Sequence, residues 1–469
     1  MVTYTRNMTE GSELKHILFF TLPLLAGNLF QQLYNIVDSA IVGKFLGADA
    51  LGSVGSTGSA TFLFYNLCYG LATGAGILIA QSFGAGREED VKKLIANSAY
   101  VMGAFGLLIS VISVIFAPNI LRLLNTRESF FEAALGYMRI SCAGTIAVSA
   151  YNWINAVMRS LGDSKTPLFF LIIASLLNAG LDLLFVVVFQ MGVNGAAWAT
   201  ITAQGVSAVG SIIFAFCKNP CFKLKRRHFA PNRNILIKCV KTGAPISFQN
   251  ALISLSMAYL QRTANRFDDT VVSAYTATMR IEQLIQQPFA SLNVAVSTFA
   301  GQNIGSEKPE RAVKGYHQSL KAVGIFSAVM LGVFFLFSKN IMGIFLKQQD
   351  MEVIAIGAAA LKLSACFYFP LGVIHTTRGL LNGAGDVGYA MINGVAEIAG
   401  RVGFAIILVH IPAVGHWAVW GTTCLTWLLT AIMSVVRYKG GKWAGGEAPT
   451  DGEAPTDGEA PAGRDLPHR

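Results

Sequence analysis

The chain has 469 residues, 53% hydrophobic and 13% charged, with 36 Lys/Arg against 26 Asp/Glu for a net charge of +10. A soluble protein carries about 25% charged residues, so these proportions exclude an ordinary water-soluble domain. The basic residues sit in short segments between apolar runs, which argues against a nucleic-acid surface.

Apolar runs of about 20 residues recur along the chain, each long enough to cross a bilayer. A segment in lipid must be helical to satisfy its own backbone. The pattern predicts an all-α integral membrane protein with about twelve spans: 14–45, 50–83, 94–117, 130–158, 166–190, 193–217, 235–261, 271–300, 312–337, 353–377, 387–411 and 413–436.

Span 1 carries Gln31, Tyr34, Asn35 and Asp38, spaced to share one helix face. Span 4 adds Tyr151, Asn152 and Asn155, span 5 adds Asn178 and Asp182 four residues apart, and span 6 adds Thr200. A mid-membrane carboxylate costs on the order of 2.5–3.5 kcal/mol on insertion scales, so Asp38 and Asp182 mark a pathway or a coupling site. No basic residue lies within one helical turn of either on its own helix. A carboxyl in such surroundings can hold a proton and exchange it for a cation. The alternative is that these polar groups only tie helices together by hydrogen bonds.

Span 8 carries Arg280 and Glu282, and span 11 carries Glu397 and Arg401. The i, i+4 spacing of Glu397 and Arg401 suits an ion pair, whereas Arg280 and Glu282 do not face each other. These four read as structural or gating charges. His375 in span 10 reads as a packed or cavity-lining residue. Pro23, Pro245, Pro288 and Pro370 predict kinks, and the pairs Gly43/Gly47 and Gly70/Gly74 permit close helix crossings. Seven cysteines form no even framework. Cys217 and Cys221 lack the second Cys/His pair of a zinc site.

The chain repeats itself. Pro23 matches Pro245, Gln81-x-x-Gly84 matches Gln302-x-x-Gly305, and Gly162-Asp163 matches Gly385-Asp386, all at offsets of 221 to 223 residues. A unit of six spans is even, so both copies run the same way and are related by an axis along the membrane normal. The predicted organisation is one six-helix bundle over 1–217, a basic cytoplasmic linker over 218–234, a second bundle over 235–440, and a disordered low-complexity tail over 441–469 containing "GEAPTDGEAPTDGEAPAG".

Segments on the linker's side of the membrane carry 21 Lys/Arg, against 7 on the other. That bias predicts a multi-pass protein of the plasma (inner) membrane with both termini in the cytoplasm. No cleavable signal peptide is apparent, because the first apolar run is too long and lacks a small-residue cleavage site. No GxxxxGK[ST], HExxH or nucleophile elbow occurs. The expectation is a chain that is not an enzyme and uses neither nucleotide nor cofactor, drawing energy from an ion gradient.

The stretch "LPLLAGNLFQQLYNIVDSAIVGKFLGADALGSVG" (22–55), with "GQNIG" (301–305), "MRIE" (279–282) ahead of Pro288, and "NAGLD" (178–182), resembles the multidrug and toxic compound extrusion (MATE) family nearly to residue 440. The resemblance implies a cation-coupled antiporter that exports organic cations and other amphipathic molecules by alternating access between two bundles. In the DinF-like branch, aspartates of spans 1 and 5 form the cation site. These match Asp38 and Asp182, with Gln31, Tyr34, Asn35, Asn155, Asn178 and Thr200 around them and H+ or Na+ as the occupant. The NorM-like branch carries acids in spans 7 and 10. Here Gln249 stands at the span 7 position, and no acid occurs from Phe367 to Asn382, which favours the DinF-like arrangement.

The expected partners are amphipathic or cationic small molecules and membrane lipid, with no nucleic acid, for a monomeric protein. Two alternatives remain. A flippase for a lipid-linked precursor requires a strongly basic cavity, and the predicted spans hold few Arg or Lys. A non-transporting scaffold or sensor would make both aspartates dispensable.

Overall fold

The computed structural model describes residues 5–124, 126–345, 350–441 and 443. The tail assigned to 441–469 lies, apart from Gly441 and Trp443, outside these residues. Among the described residues the chain is helical, without strands. The first half runs α1 (Glu13–Leu46), α2 (Ala48–Gly84), α3 (Glu88–Leu123), α4 (Phe131–Ala143), α5 (Thr145–Ser160), α6 (Lys165–Asp182) and α7 (Val193–Lys218). The second runs α8 (Arg233–Ala264), α9 (Asp269–Gly305), α10 (Pro309–Phe345), α11 (Met351–Ala365), α12 (Tyr368–Ala384), α13 (Gly388–Val409) and α14 (Ala418–Lys439). Both halves show one order: three long helices, a broken pair, then two more.

Each broken pair occupies one predicted span, 130–158 and 353–377. The α4–α5 break falls at Gly144, where a side chain would strike Ile201 of α7. The α11–α12 pair bends by 49°. Pro370 lies in the first turn of α12, where its missing N–H costs no helix bond. Pro23, Pro245 and Pro288 lie inside α1, α8 and α9, as does Pro118 inside α3. Counting each pair once restores twelve crossings.

Eight helical segments are long and apolar enough to cross a bilayer by themselves, and the bent pair makes a ninth. Of the rest, α8 and α9 are too polar for that test, and α4 and α5, of 13 and 16 residues, are each too short. Helix α8 holds Lys238, Lys241, Gln249 and Asn250; α9 holds Arg280, Glu282, Gln283 and Gln287. Helix α8 packs against α2, and α9 against α1 and α2, of the opposite half, where protein replaces lipid.

The halves meet on the face that carries the linker. Helices α2 and α9 end there, and their last residues cross. A Cβ on Gly84 would collide with the Gln302 backbone, and one on Gly305 with the Gln81 backbone. The side chains repeat the exchange. Gln81 Nε2 donates to Gly383 O at 2.9 Å, and Gln302 Nε2 donates to Ser160 O at 3.0 Å. Gly70 and Gly74 of α2 lie against Ser247 and Gly243 of α8, where Ser247 Oγ donates to Leu67 O at 2.7 Å. Gly47 serves otherwise than its helix-spaced position suggests. It has a φ of 87° between α1 and α2, and no neighbouring helix touches the place of its missing side chain.

Two further segments seal this face. Ahead of α1, the Arg6 N–H donates to Leu161 O at 2.9 Å, and the Met8 N–H to Gln302 Oε1 at 2.9 Å. Met8 is fully buried. The linker lies on α3, with Phe222 and His228 buried. The Asn232 N–H donates to Asn97 Oδ1 at 2.8 Å, and Tyr100 OH donates to Phe229 O at 2.9 Å.

The crossing predicts a test. A β-branched residue at Gly84 must push α2 off α9. A cysteine placed at Ala80, buried at 2% exposure, should react slowly with a membrane-impermeant maleimide in the parent and several-fold faster beside Gly84→Val. An unchanged rate would show that this contact does not close the face.

Candidate functional site

Asp38 and Asp182 come together although 144 residues separate them. Helix α1 packs on α6 and on the segment that follows it, and the two carboxyl groups face each other within hydrogen-bonding reach. Asp182 is fully buried. No protein donor reaches either of its oxygens, nor Asp38 Oδ1. Among the described residues neither acid takes part in an ion pair. Asp182 closes α6, and Leu183–Val188 continues as a wider π-helical turn, a distortion that recurs at functional sites.

One helical turn away, Tyr34 OH donates to Thr200 Oγ1 at 3.3 Å, and Asn178 Nδ2 donates to the same oxygen at 3.4 Å. Gln31 Nε2 donates to Asn35 Oδ1 at 3.4 Å. A void of about 20 Å³ lined by Gln31, Tyr34, Tyr151, Asn178 and Gln204 adjoins this cluster, room for one water or small ion. Asn155 is buried with its Oδ1 unpartnered, and Asn152 is half-buried on the same helix. Two facing carboxyls without a donor call for a proton or a hard cation between them. The surrounding oxygens of Tyr34, Asn178 and Thr200 fit either.

The other four charges lie in the second half. Arg401, fully buried, donates to Glu397 Oε1 at 2.9 Å and also to Ser256 Oγ. Arg378 reaches Glu397 Oε2 at 3.4 Å and Asn393 Oδ1. Glu282 is buried with its Oε1 unpartnered and has no ion pair among the described residues, while Arg280 is exposed. These charges are well separated in kind from the acidic pair: two of them, Glu397 and Arg401, form one hydrogen-bonded network with Arg378.

Arg159 and Arg378 are the residues that sequence reasoning misplaced. Counted with the loops, they instead line a cavity of about 200 Å³ between the halves, with Tyr69, Gln249, Asn250 and His375. Arg159 is next to last in α5, and Arg378 lies within α12. The expectation of few basic residues in the spans is corrected accordingly. The available signal was position: Arg159 lies one residue and Arg378 six residues before the end of its helix, where a long side chain reaches back toward the helix N-terminus.

The MatE family model matches residues 23–184 and again 245–406, two copies set 222 residues apart. The chain belongs to the MATE family. Among its relatives, a probable multidrug resistance protein YpnP of Bacillus subtilis is 30% identical over 81% of this chain and 84% of its own. A second, YoeA of the same organism, is 27% identical over 89% and 91%. A solved outward-facing conformation of a multidrug resistance MATE family transporter superposes with a TM-score of 0.85 at 24% identity, covering 92% of this chain and 96% of that one. The MATE fold accounts for the twelve crossings, and the double match fixes the internal repeat. Proteins of this family are multi-pass membrane transporters rather than enzymes.

The two charged clusters predict opposite costs. Arg401→Leu removes a buried charge that holds Glu397 and Ser256, and should lower the stability of the purified protein by roughly 3 kcal/mol. Asp182→Asn removes one of two facing acids and should leave the melting temperature equal or higher. Thermal unfolding followed by intrinsic fluorescence checks both; a large loss from Asp182→Asn would assign the acids a structural role.

Proposed function

We propose that this MATE protein is a secondary antiporter coupled to H+ or Na+, exporting amphipathic organic compounds, cations among them, by alternating access. The observation that carries the proposal is the Asp38–Asp182 pair: two carboxyls in mutual reach, Asp182 buried and Asp38 half-buried, with no ion pair among the described residues and no donor to Asp182. The multidrug resistance proteins among its relatives supply the class of cargo.

With a proton or cation bound, the pair holds α1 to α6. With both acids charged, repulsion favours a different seat for α1. A ligand drives such a switch only through unequal affinity for the two states. The coupling ion and the cargo would each prefer one, and export follows when they take turns. The Lys/Arg bias supports a cytoplasmic linker face. On that orientation the crossing of α2 and α9 closes the cytoplasmic side. The Arg378–Glu397–Arg401 network is the proposed brace of the second half, with Glu282 and Arg280 as gating charges.

The test is efflux of a fluorescent cation such as ethidium from proteoliposomes under an imposed pH or Na+ gradient. One gradient should drive efflux in the parent, and Asp38→Asn or Asp182→Asn should abolish the gradient-dependent part. Equal efflux from parent and both variants would remove the pair from the mechanism.

A further inference from the structure

The cavity between the halves has the wrong polarity for a cation. Arg159, Arg378 and His375 line it, and no carboxylate does. Its other polar walls are amides and hydroxyls, among them Gln249, Asn250 and Asn293. The nearest acid of the second half, Glu397, is already shared between Arg378 and Arg401, which leaves that network with one positive charge in excess. Arg159 lies over the ring of Tyr69 at 5.8 Å, and among the described residues no carboxylate comes within ion-pair distance of it.

Arg378 is held in place on one side and open on the other. One terminal nitrogen is occupied by Asn393 and Glu397, while its Nε is buried without a partner. A guanidinium fixed in that manner presents a donor edge shaped for a planar or tetrahedral oxyanion. His375 stacks on Phe289 with ring centres 6.3 Å apart, which sets its ring as a wall of the cavity. The volume of about 200 Å³ is below the roughly 300–1,000 Å³ of pockets that swallow a whole drug-sized guest. It suits a head group whose apolar body extends away from the closed linker face.

We infer that this cavity binds the oxyanion, phosphate or carboxylate, of an amphipathic anion, with Arg159 and Arg378 as its two cationic walls. The inference rests on the reading of the chain as an exporter and extends its cargo from cations to anionic amphiphiles. The acidic pair in the first half and the basic cavity are then separate sites, one for the coupling ion and one for cargo. A lipid phosphate offers the same chemistry as a soluble anion, so the test separates the two sources.

A cysteine at Thr73, which lines the cavity, reports occupancy through its rate of maleimide labelling, read by mass spectrometry. The full-length protein is placed in nanodiscs of phosphatidylcholine and titrated with decyl phosphate, decanoate, decyltrimethylammonium and decyl maltoside, which share one apolar body. Decyl phosphate or decanoate should protect the cysteine at concentrations about tenfold or more below the cation and the neutral sugar, the ratio expected for charge-assisted bonds to arginine. Arg159→Gln should erase that preference while the variant keeps its melting temperature, and Arg378→Gln should erase it with some loss of melting temperature, because Arg378 also pairs with Glu397. Nanodiscs containing phosphatidylglycerol that protect the cysteine without added amphiphile, in the parent and not in Arg159→Gln, identify lipid phosphate as the source. Equal or better protection by the cation, no protection by any amphiphile, or a preference for anions that survives both substitutions would overturn the inference. The labelling needs no gradient. Absence of an anion preference in the parent protein with gradient-driven export intact refutes this inference alone, and loss of export in Asp38→Asn with protection intact refutes neither.

Discussion

The arrangement of the whole molecule depends on one close contact. The C-terminal ends of α2 and α9 cross with no side chain between them, Gly84 on the Gln302 backbone and Gly305 on the Gln81 backbone. Any larger residue at either position would separate the halves. Because the two glycines and the two glutamines occupy matched places in the repeat, the contact is made twice, once from each half. Each glutamine then spans the junction to a carbonyl of the opposite half. The N-terminal segment adds a third tie, since its Met8 occupies the remaining oxygen of Gln302. The cavity that holds Arg159 and Arg378 rests on this floor.

The contact also explains why the polar groups lie where they do. Helices that face the other half are shielded from lipid, so the middles of α8 and α9 tolerate Gln249, Asn250, Glu282 and Gln287, whereas the middles of α3 and α10 are apolar. The acids are placed differently again. Asp38 and Asp182 belong to neighbouring helices of one half, away from the floor, where under the proposed function a change in their charge would act on the seat of α1. A charge-dependent seat in one half and the proposed cargo cavity between the halves would give the two kinds of ligand separate places and one shared conformational equilibrium, the condition for linkage between them.

Much of this was legible in the sequence, for identifiable reasons. Apolar runs report spans because lipid imposes composition on every exposed turn. The repeat showed through Gln81/Gln302 and Gly84/Gly305, since the crossing constrains both copies alike. The bend beside Pro370 was legible from the proline, but the break at Gly144 was not, because a bent pair and a straight helix bury the same apolar length. The arginines of the cavity were misread because a basic residue near a span end looks like a loop charge until the helix is seen to continue past it. The contact of Asp38 with Asp182 followed only from family resemblance. Spacing along two separate helices places each acid on a face but says nothing of the distance between them. The burial of Met8 and the docking of the 218–234 segment on α3 had no sequence signal, as both depend on contacts with residues distant in the chain.

The central claim is that the charge state of the acidic pair sets which face is open. The direct measurement is the distance between spin labels in a cysteine-free background, with one pair at Lys44 and Arg266, at the ends away from the linker, and one at Arg87 and Glu307 beside the crossing. All four positions are exposed. Changing pH or Na+ should shift both distance distributions in opposite senses, the outer pair closing as the linker-face pair opens, and Asp38→Asn should lock the populations. Distances that ignore both ions in the parent, or that respond equally in Asp38→Asn, would contradict it.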